Sequence, residues 1–263
     1  MSESPENIFD VHLLAKELRP FRLHHFPELP STNDYAIEAR RKGELFAPAI
    51  ILADSQTAGR GRGANRWHSS TGSLAITYVF PVEENLRAHQ LPLVAGLAVR
   101  NAVAELTTNS EIKLKWPNDL IYFRRKIAGL LCERIAGADL VGIGLNVNNV
   151  SMPANLKRTA TNLCTIAGRP LNLNTTVITL THHLRHYLLA RKSRSFAAFV
   201  DEYRQHDGLL GASIAVSLSS EPVEIKGTCD GIDTDGRLLV RTGNKVRKII
   251  TGGIRMVLPA SQP

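Results

Sequence analysis

Gln56-Thr57-Ala58-Gly59-Arg60-Gly61-Arg62-Gly63-Ala64-Asn65-Arg66-Trp67 is the stretch on which the fold turns. Glycines at every second position permit tight turning and let backbone N–H groups approach an anion. The interleaved arginines are planar, permanently charged donors suited to phosphate and carboxylate. Trp67 adds a flat face on which an adenine can stack. The flanks decide the class. Ala49–Ala53 is a continuous apolar run between Pro48 and Asp54, and Ser73–Phe80 is rich in β-formers, so the glycines lie between two strands. A dinucleotide fingerprint needs a helix straight after its glycines and a P-loop needs Gly-Lys-Ser/Thr, and this stretch has neither. An RGG-type tail belongs to a disordered terminus. A flexible basic loop remains open as the plain alternative.

Working outward, Ser31-Thr32-Asn33-Asp34 has the form of a helix start, with Tyr35, Ala36, Ile37 and Ala39 following. Val94, Leu97, Ala98, Ala102 and Leu106 have helical spacing within Leu91–Leu106, long enough to cross a sheet. Ile112–Trp116 reads as a short strand stopped by Pro117. Ile127–Glu133 and Leu140–Asn148 read as strands paired through a turn at Gly137. Two amphipathic helices follow, one carrying Val177, Leu180, Leu184, Tyr187 and Leu188, the next Phe196, Phe199, Val200 and Tyr203. After Gly208 the character changes. Ser213–Leu218, Val223–Asp230, Arg237–Thr242, Val246–Thr251 and Arg255–Leu258 read as short strands, with tight turns at Asp235-Gly236 and Gly243-Asn244. The expected organisation is an N-terminal extension over 1–30, a catalytic domain over 31–210 and a small barrel over 211–263. Before Pro30 only Val11–Leu18 reads as a helix, too little for a winged helix-turn-helix, so no DNA-reading domain is expected there.

The chain has 263 residues, of which 43% are hydrophobic and 21% charged, enough to fill a core and to exclude wholesale disorder. Lys+Arg 32 against Asp+Glu 24 leaves +8, which favours an anionic substrate or acidic partner without choosing one. Cys132, Cys164 and Cys229 are too few and too scattered for a disulfide framework or a Cys-x-x-Cys metal site. The first residues are not expected to act as a secretory signal, and no window reaches about 18 consecutive apolar residues. A soluble, cytoplasmic protein is expected.

Two further clusters carry chemistry. In Lys115-Trp116-Pro117-Asn118-Asp119, Pro117 ends a strand, so Asn118 and Asp119 stand at a strand end, where ligands often bind. The bland reading is a turn with a solvated lysine beside it. Lys126-Ile127-Ala128-Gly129 opens an apolar strand with a small pair that permits close approach. Gly142-Ile143-Gly144-Leu145-Asn146 places glycines inside a strand, either as a bulge or as backbone packed on a ligand. His182, His183 and His186 include an i,i+4 pair, but without acidic or cysteine companions they read as a solvated helix face. Arg191-Lys192 with Arg194 reads as a basic helix end.

Taken together, Ser31-Thr32-Asn33, GRGRGANRW, KWPND, KIAG and GIGLN stand in the order and spacing of biotin protein ligases, and the chain resembles that family from about Ser31 to Leu258. The resemblance implies an α+β fold. Its mixed sheet would have helices on one side, akin to class II aminoacyl-tRNA synthetases and lipoate ligases, with a small SH3-like barrel after it. It implies a monofunctional ligase that uses ATP and Mg2+ to make biotinyl-5'-AMP, then joins biotin to one lysine of a biotin carboxyl-carrier domain of a biotin-dependent carboxylase. Neither membrane nor sequence-specific DNA contact is expected, and a homodimer is compatible. Ser31, Thr32, Asn33 and Gln56 would line the biotin pocket, with Gly142 and Gly144 behind the biotin tail. Arg60, Gly61 and Arg62 would belong to a loop folding over biotin and its adenylate. Lys126 would reach the biotin carboxylate and α-phosphate. Trp67, Lys115, Asn118 and Asn146 would serve the nucleotide. Asp119 and Asn118 would meet magnesium, with Asp119 also the base or positioning group for the incoming lysine. The family often has a further arginine three positions after Arg62; Asn65 stands there, with Arg66 next.

Cationic clamps suit this chemistry, because a carboxylate and ATP repel one another as they approach. Arg60, Arg62, Lys115 and Lys126 form such a set. Biotin's polar ureido ring on an apolar body suits a mainly hydrophobic pocket with a few hydroxyl and amide groups.

Overall fold

The computed structural model describes residues 8–149, 158–190, 195–218 and 224–257. Val223, Leu258 and the basic run at 191–194 lie outside them. Seven strands make the larger sheet: β1 (Arg22–Leu29), β2 (Ala49–Gln56), β3 (Ser73–Pro81), β4 (Lys113–Lys115), β5 (Asp119–Tyr122), β6 (Arg125–Ile135) and β7 (Ala138–Asn146). Their order is β1-β2-β3-β7-β6-β5-β4. β1 is parallel to β2 and the remaining pairs are antiparallel, the mixed sheet that was expected.

Alternation along the strands assigns their faces. Ile50, Leu52, Leu74, Ile76, Tyr78, Val141, Ile143 and Leu145 point into the main core. They pack against α1 (Val11–Glu17), α3 (Leu91–Thr107), α4 (Leu163–Ala167) and α5 (Leu173–Arg185). The buried Tyr78 hydroxyl meets Thr181 Oγ1 at 2.9 Å, which satisfies its polar end inside that core. The opposite face is covered over part of its extent by α2 (Thr32–Arg41), whose Ala36 and Ala39 pack on Ala49, Ile51, Val79 and Leu140. The expectation of helices on one side is thereby corrected. Strands this apolar need cover on both faces, and small alanines let α2 lie close.

Residues 8–29, expected as part of an extension, belong to this unit. Phe9, Leu14, Leu18 and Phe21 are buried in the main core, and β1 pairs with β2 along its length. The strand was not legible because it is an edge: its RLHHFPEL sequence is polar, and Pro27, which has no N–H to give, is tolerated there. β4 falls within the short strand read over Ile112–Trp116 and stops before Pro117, where the chain turns so that Asp119 begins β5, a strand the sequence did not announce.

Phe196–Phe199 forms a 3-10 turn that runs into α6 (Val200–Gln205). Beyond it, β8 (Ser213–Ser217), β9 (Ile225–Ile232), β10 (Leu238–Thr242), β11 (Lys245–Ile249) and β12 (Gly253–Met256) make an antiparallel sheet ordered β11-β10-β9-β8-β12. The joint between the two sheets is hydrogen-bonded. Leu114 N donates to His206 O and Gly208 N to Leu114 O, each at 2.7 Å, and Trp116 Nε1 donates to Gly236 O at 3.1 Å. Gly236, at φ +79°, presses against Leu93 and Phe196, so a side chain there would be both strained and crowded.

Candidate active site

The sheet face that α2 leaves uncovered forms the floor of a cavity of about 720 Å³. Thr77 of β3, Gly142 and Gly144 of β7, and Gly129 of β6 stand next to one another across that face by register. The two β7 glycines are close-approach positions. A methyl on Gly142 would overlap the Asn33 amide, and one on Gly144 would overlap the Trp67 indole. In this structure, therefore, Asn33 and Trp67 occupy the space over the glycines that the resemblance gave to the biotin tail.

One end of the cavity is neutral. Ser31 caps α2 by accepting from Asp34 N at 3.2 Å, and this cap points Thr32 and Asn33 inward. Thr32 donates to Gln56 Oε1 from its backbone N at 2.8 Å, and its hydroxyl lies 3.1 Å from the same oxygen. Asn33 Nδ2 donates to Leu131 O at 3.1 Å and to Glu133 Oε2 at 3.0 Å. Two acceptors on one side fix which way this amide points. The Thr77 hydroxyl stands 2.9 Å from Thr32 Oγ1 and 2.6 Å from Asn33 Oδ1, with one proton to share between them. Thr77 is fully buried and was missed in the sequence, where its only signal is a hydroxyl inside the apolar run Ser73–Phe80.

The other end is charged. Lys126 Nζ lies 2.6 Å from Asp119 Oδ1, and Lys115 Nζ lies 3.8 Å from Asp119 Oδ2. Gly129 makes room for this pair, since a methyl there would crowd the Lys126 ammonium at 2.8 Å. Burial pulls Lys115 below the ordinary lysine range; Asp119 opposes that shift and Lys126 adds to it. Asn118 Nδ2 donates to Leu130 O at 2.7 Å, which pins the turn onto β6.

Between the ends runs the loop 59–67. Gly61 N donates to Asn65 O at 2.8 Å and Trp67 N to Gly59 O at 2.9 Å, so the loop is a closed hairpin with Asn65 inside it. Arg60 donates to Asp34 Oδ1 and, at 3.3 Å, to Glu133 Oε1. Arg62 donates to Gly252 O at 2.8 Å and to Thr251 Oγ1, both on the β11–β12 turn of the smaller sheet. Ser217, Leu218 and Ile254 of that sheet also line the cavity, a contribution no motif announced.

The cavity thus brings together Ser31, Thr32, Asn33, Gln56, Arg60, Gly61, Arg62, Trp67, Lys115, Asn118, Asp119, Lys126, Gly142 and Gly144. Asn146 is the exception. It is buried outside the lining, where Nδ2 donates to Thr161 O at 3.1 Å and Oδ1 accepts from Asn149 Nδ2 at 3.3 Å. These bonds give Asn146 a structural part in the ligand-free structure. Among the described residues, no group of three or more His, Cys, Asp or Glu side chains is placed to hold a metal; His183 instead meets Glu105 at 2.8 Å. Asp119 is the one carboxylate in the cavity lining among the described residues. The donor set fits a magnesium ion that arrives on phosphate groups, and it does not make a resident cage.

Comparison with known proteins follows the same division. Residues 26–148 match the Biotin/lipoate A/B protein ligase family, which sets the class. Residues 210–254 match the Biotin protein ligase C terminal domain, which narrows it. The chain belongs to the biotin protein ligase family. It is 27% identical over 237 residues to the bifunctional ligase/repressor BirA of Escherichia coli, covering 88% of this chain and 72% of that protein. It is 28% identical over 229 residues to the biotin–[acetyl-CoA-carboxylase] ligase of Mycobacterium tuberculosis, covering 85% of each. The biotin protein ligase of Aquifex aeolicus, solved in complex with biotin and ATP, superposes with a TM-score of 0.80 at 29% identity, over 90% of this chain and 99% of that one.

Proposed function

We propose that the protein activates biotin with ATP to biotinyl-5'-AMP and transfers the biotinyl group to one lysine of a biotin carboxyl-carrier domain. The observation that carries this reading is one cavity with a neutral end and a lysine–aspartate end, in a chain that matches both family models. The hydroxyl and amide groups of Thr32, Asn33 and Gln56 suit the ureido ring, and the buried Thr77 beneath them holds Thr32 and Asn33 in place. The biotin carboxylate then points toward Lys126.

In the first step the carboxylate oxygen attacks the α-phosphorus of ATP and pyrophosphate leaves. Lys126, Lys115 and Arg62 supply positive charge where the pentavalent phosphorus gathers negative charge. Magnesium bound to the phosphates would lower their charge further, with Asp119 the carboxylate to meet it. In the second step the neutral amine of the carrier lysine attacks the acyl carbon, AMP leaves, and the amine proton is released to solvent or to a nearby base. Asp119 faces ammonium groups with both oxygens, which supports a part in orienting the lysines more than in taking that proton. The loop 59–67 shields the mixed anhydride from water between the steps.

Among the described residues no helix is long and apolar enough to cross a membrane, and the three cysteines are free. The proposal places the enzyme in the cytoplasm and includes no sequence-specific DNA contact. Each catalytic group comes from one chain, and a homodimer is compatible with it. The test is incubation of the protein with a purified carrier domain, ATP and either biotin or lipoate, read by mass spectrometry. The carrier gains one biotinyl group on one lysine; lipoyl transfer without biotinyl transfer would contradict the proposal.

A further inference from the structure

Arg60 was expected to be one of the cations that meet the ligand, yet its guanidinium is directed elsewhere. It donates to Asp34 on α2 and to Glu133 on β6, and neither carboxylate lines the cavity. We infer that Asp34 and Glu133 are positioning residues: together they form a catch that holds Arg60, and through it the loop 59–67, over the cavity. The inference rests on the proposed activity for its consequence but not for its geometry.

Three observations support it. First, the loop is held together by a few backbone bonds of its own, Gly61–Asn65 and Trp67–Gly59, with Thr57 N and Ala58 N tying its root to Leu29 O and Pro30 O, so releasing Arg60 leaves those loop bonds to fray. Holding one side chain therefore holds the loop. Second, the catch stands on the elements that build the cavity: Asp34 follows Asn33 directly, and β6 carries both Lys126 and Glu133. Third, Glu133 has two engagements. Oε1 accepts from Arg60 Nη2 at 3.3 Å, while Oε2 accepts from Asn33 Nδ2 at 3.0 Å. One carboxylate thus links the loop to an amide of the neutral end. Asn33 keeps its second donor bond, to Leu131 O, when Glu133 changes.

The charges are partly exposed, with Arg60 at 39%, Asp34 at 49% and Glu133 at 29%, so each pair is of surface strength and screened by salt. Losing both pairs should raise loop opening by roughly tenfold. The test compares wild type with Asp34→Asn/Glu133→Gln, which keep shape and most hydrogen bonding. Hydrogen exchange is followed at the Gly61, Asn65 and Trp67 amides in ligand-free protein at low and high salt. Escape of biotinyl-AMP after a single turnover is measured alongside. The catch predicts loop exchange and adenylate escape both raised about tenfold. It also predicts high salt moving wild type toward the variant. Glu133→Gln alone gives an intermediate increase. Equal loop exchange in the two proteins overturns the catch, as does an increase that ignores salt. If wild type makes no biotinyl-AMP, the functional reading fails while the exchange result still decides the catch.

Discussion

At one end of the cavity Thr32, Asn33, Gln56 and Thr77 settle one another through neutral hydrogen bonds on α2, β2 and β3. At the other, Lys115 and Lys126 share the single carboxylate of Asp119. The neutral end is built to a shape and gives directional donors and acceptors to a ligand that fits. The charged end is built to a sign, with one more cation than anion, and its task is to lower the cost of bringing two anions together. The comparison separates recognition from chemistry, and substitutions at the two ends should fail in different ways.

The largest effect belongs to the charged end. Lys126→Ala should reduce adenylate formation by about 100–1,000-fold, the scale of losing one charge-stabilising donor, with biotin binding retained. Pyrophosphate release near the wild-type rate would break the division. A smaller effect sharpens it from outside either end. Asp207, in the joint between the two sheets, has no counterion among the described residues; its Oδ2 is buried with no partner among them, and burial pushes its pKa up to about 6. A raised carboxyl pKa means the fold favours the protonated form. Its stabilisation is complete below the ordinary value of 3.8 and is lost as pH rises to about 6. Relative to wild type, Asp207→Asn should therefore gain up to about 3 kcal/mol between pH 4 and pH 7. A difference in melting temperature that does not vary with pH would refute this. The smallest effect is at the neutral end. Gly142→Ala should cost about 1–3 kcal/mol, because the new methyl meets the Asn33 amide, and should weaken biotin binding about tenfold. Pyrophosphate release at saturating biotin should change far less. An equal loss in both would mean that the ends are not separable.

How much of this was legible follows the same physics. The helix over Leu91–Thr107 and the strands over Ala49–Gln56 and Ser73–Pro81 announce themselves because they are buried and apolar over their length. The GRGR stretch, KWPND and KIAG could be placed around one cavity because close approach and charge both leave marks in residue type. β1 left no such mark: an edge strand carries polar residues and even a proline. Thr77 and Glu133 were missed because an isolated polar residue in a strand has no pattern, and its meaning comes from what register places opposite. Asn146 shares β7 with Gly142 and Gly144 in sequence but is turned into the protein to hold Thr161 and Asn149, which residue type alone does not signal. The contribution of the smaller sheet, through Thr251 and Gly252 on Arg62, is tertiary and has no local signal.

The central claim is that one cavity makes and then holds an activated acid until a lysine arrives. Single-turnover incubation of the protein with biotin and MgATP, without any carrier, tests it most directly. The account predicts one biotinyl-AMP bound per chain, stable through gel filtration and consumed when carrier domain is added. Pyrophosphate release with no retained adenylate, or an adenylate that the carrier does not discharge, would contradict it.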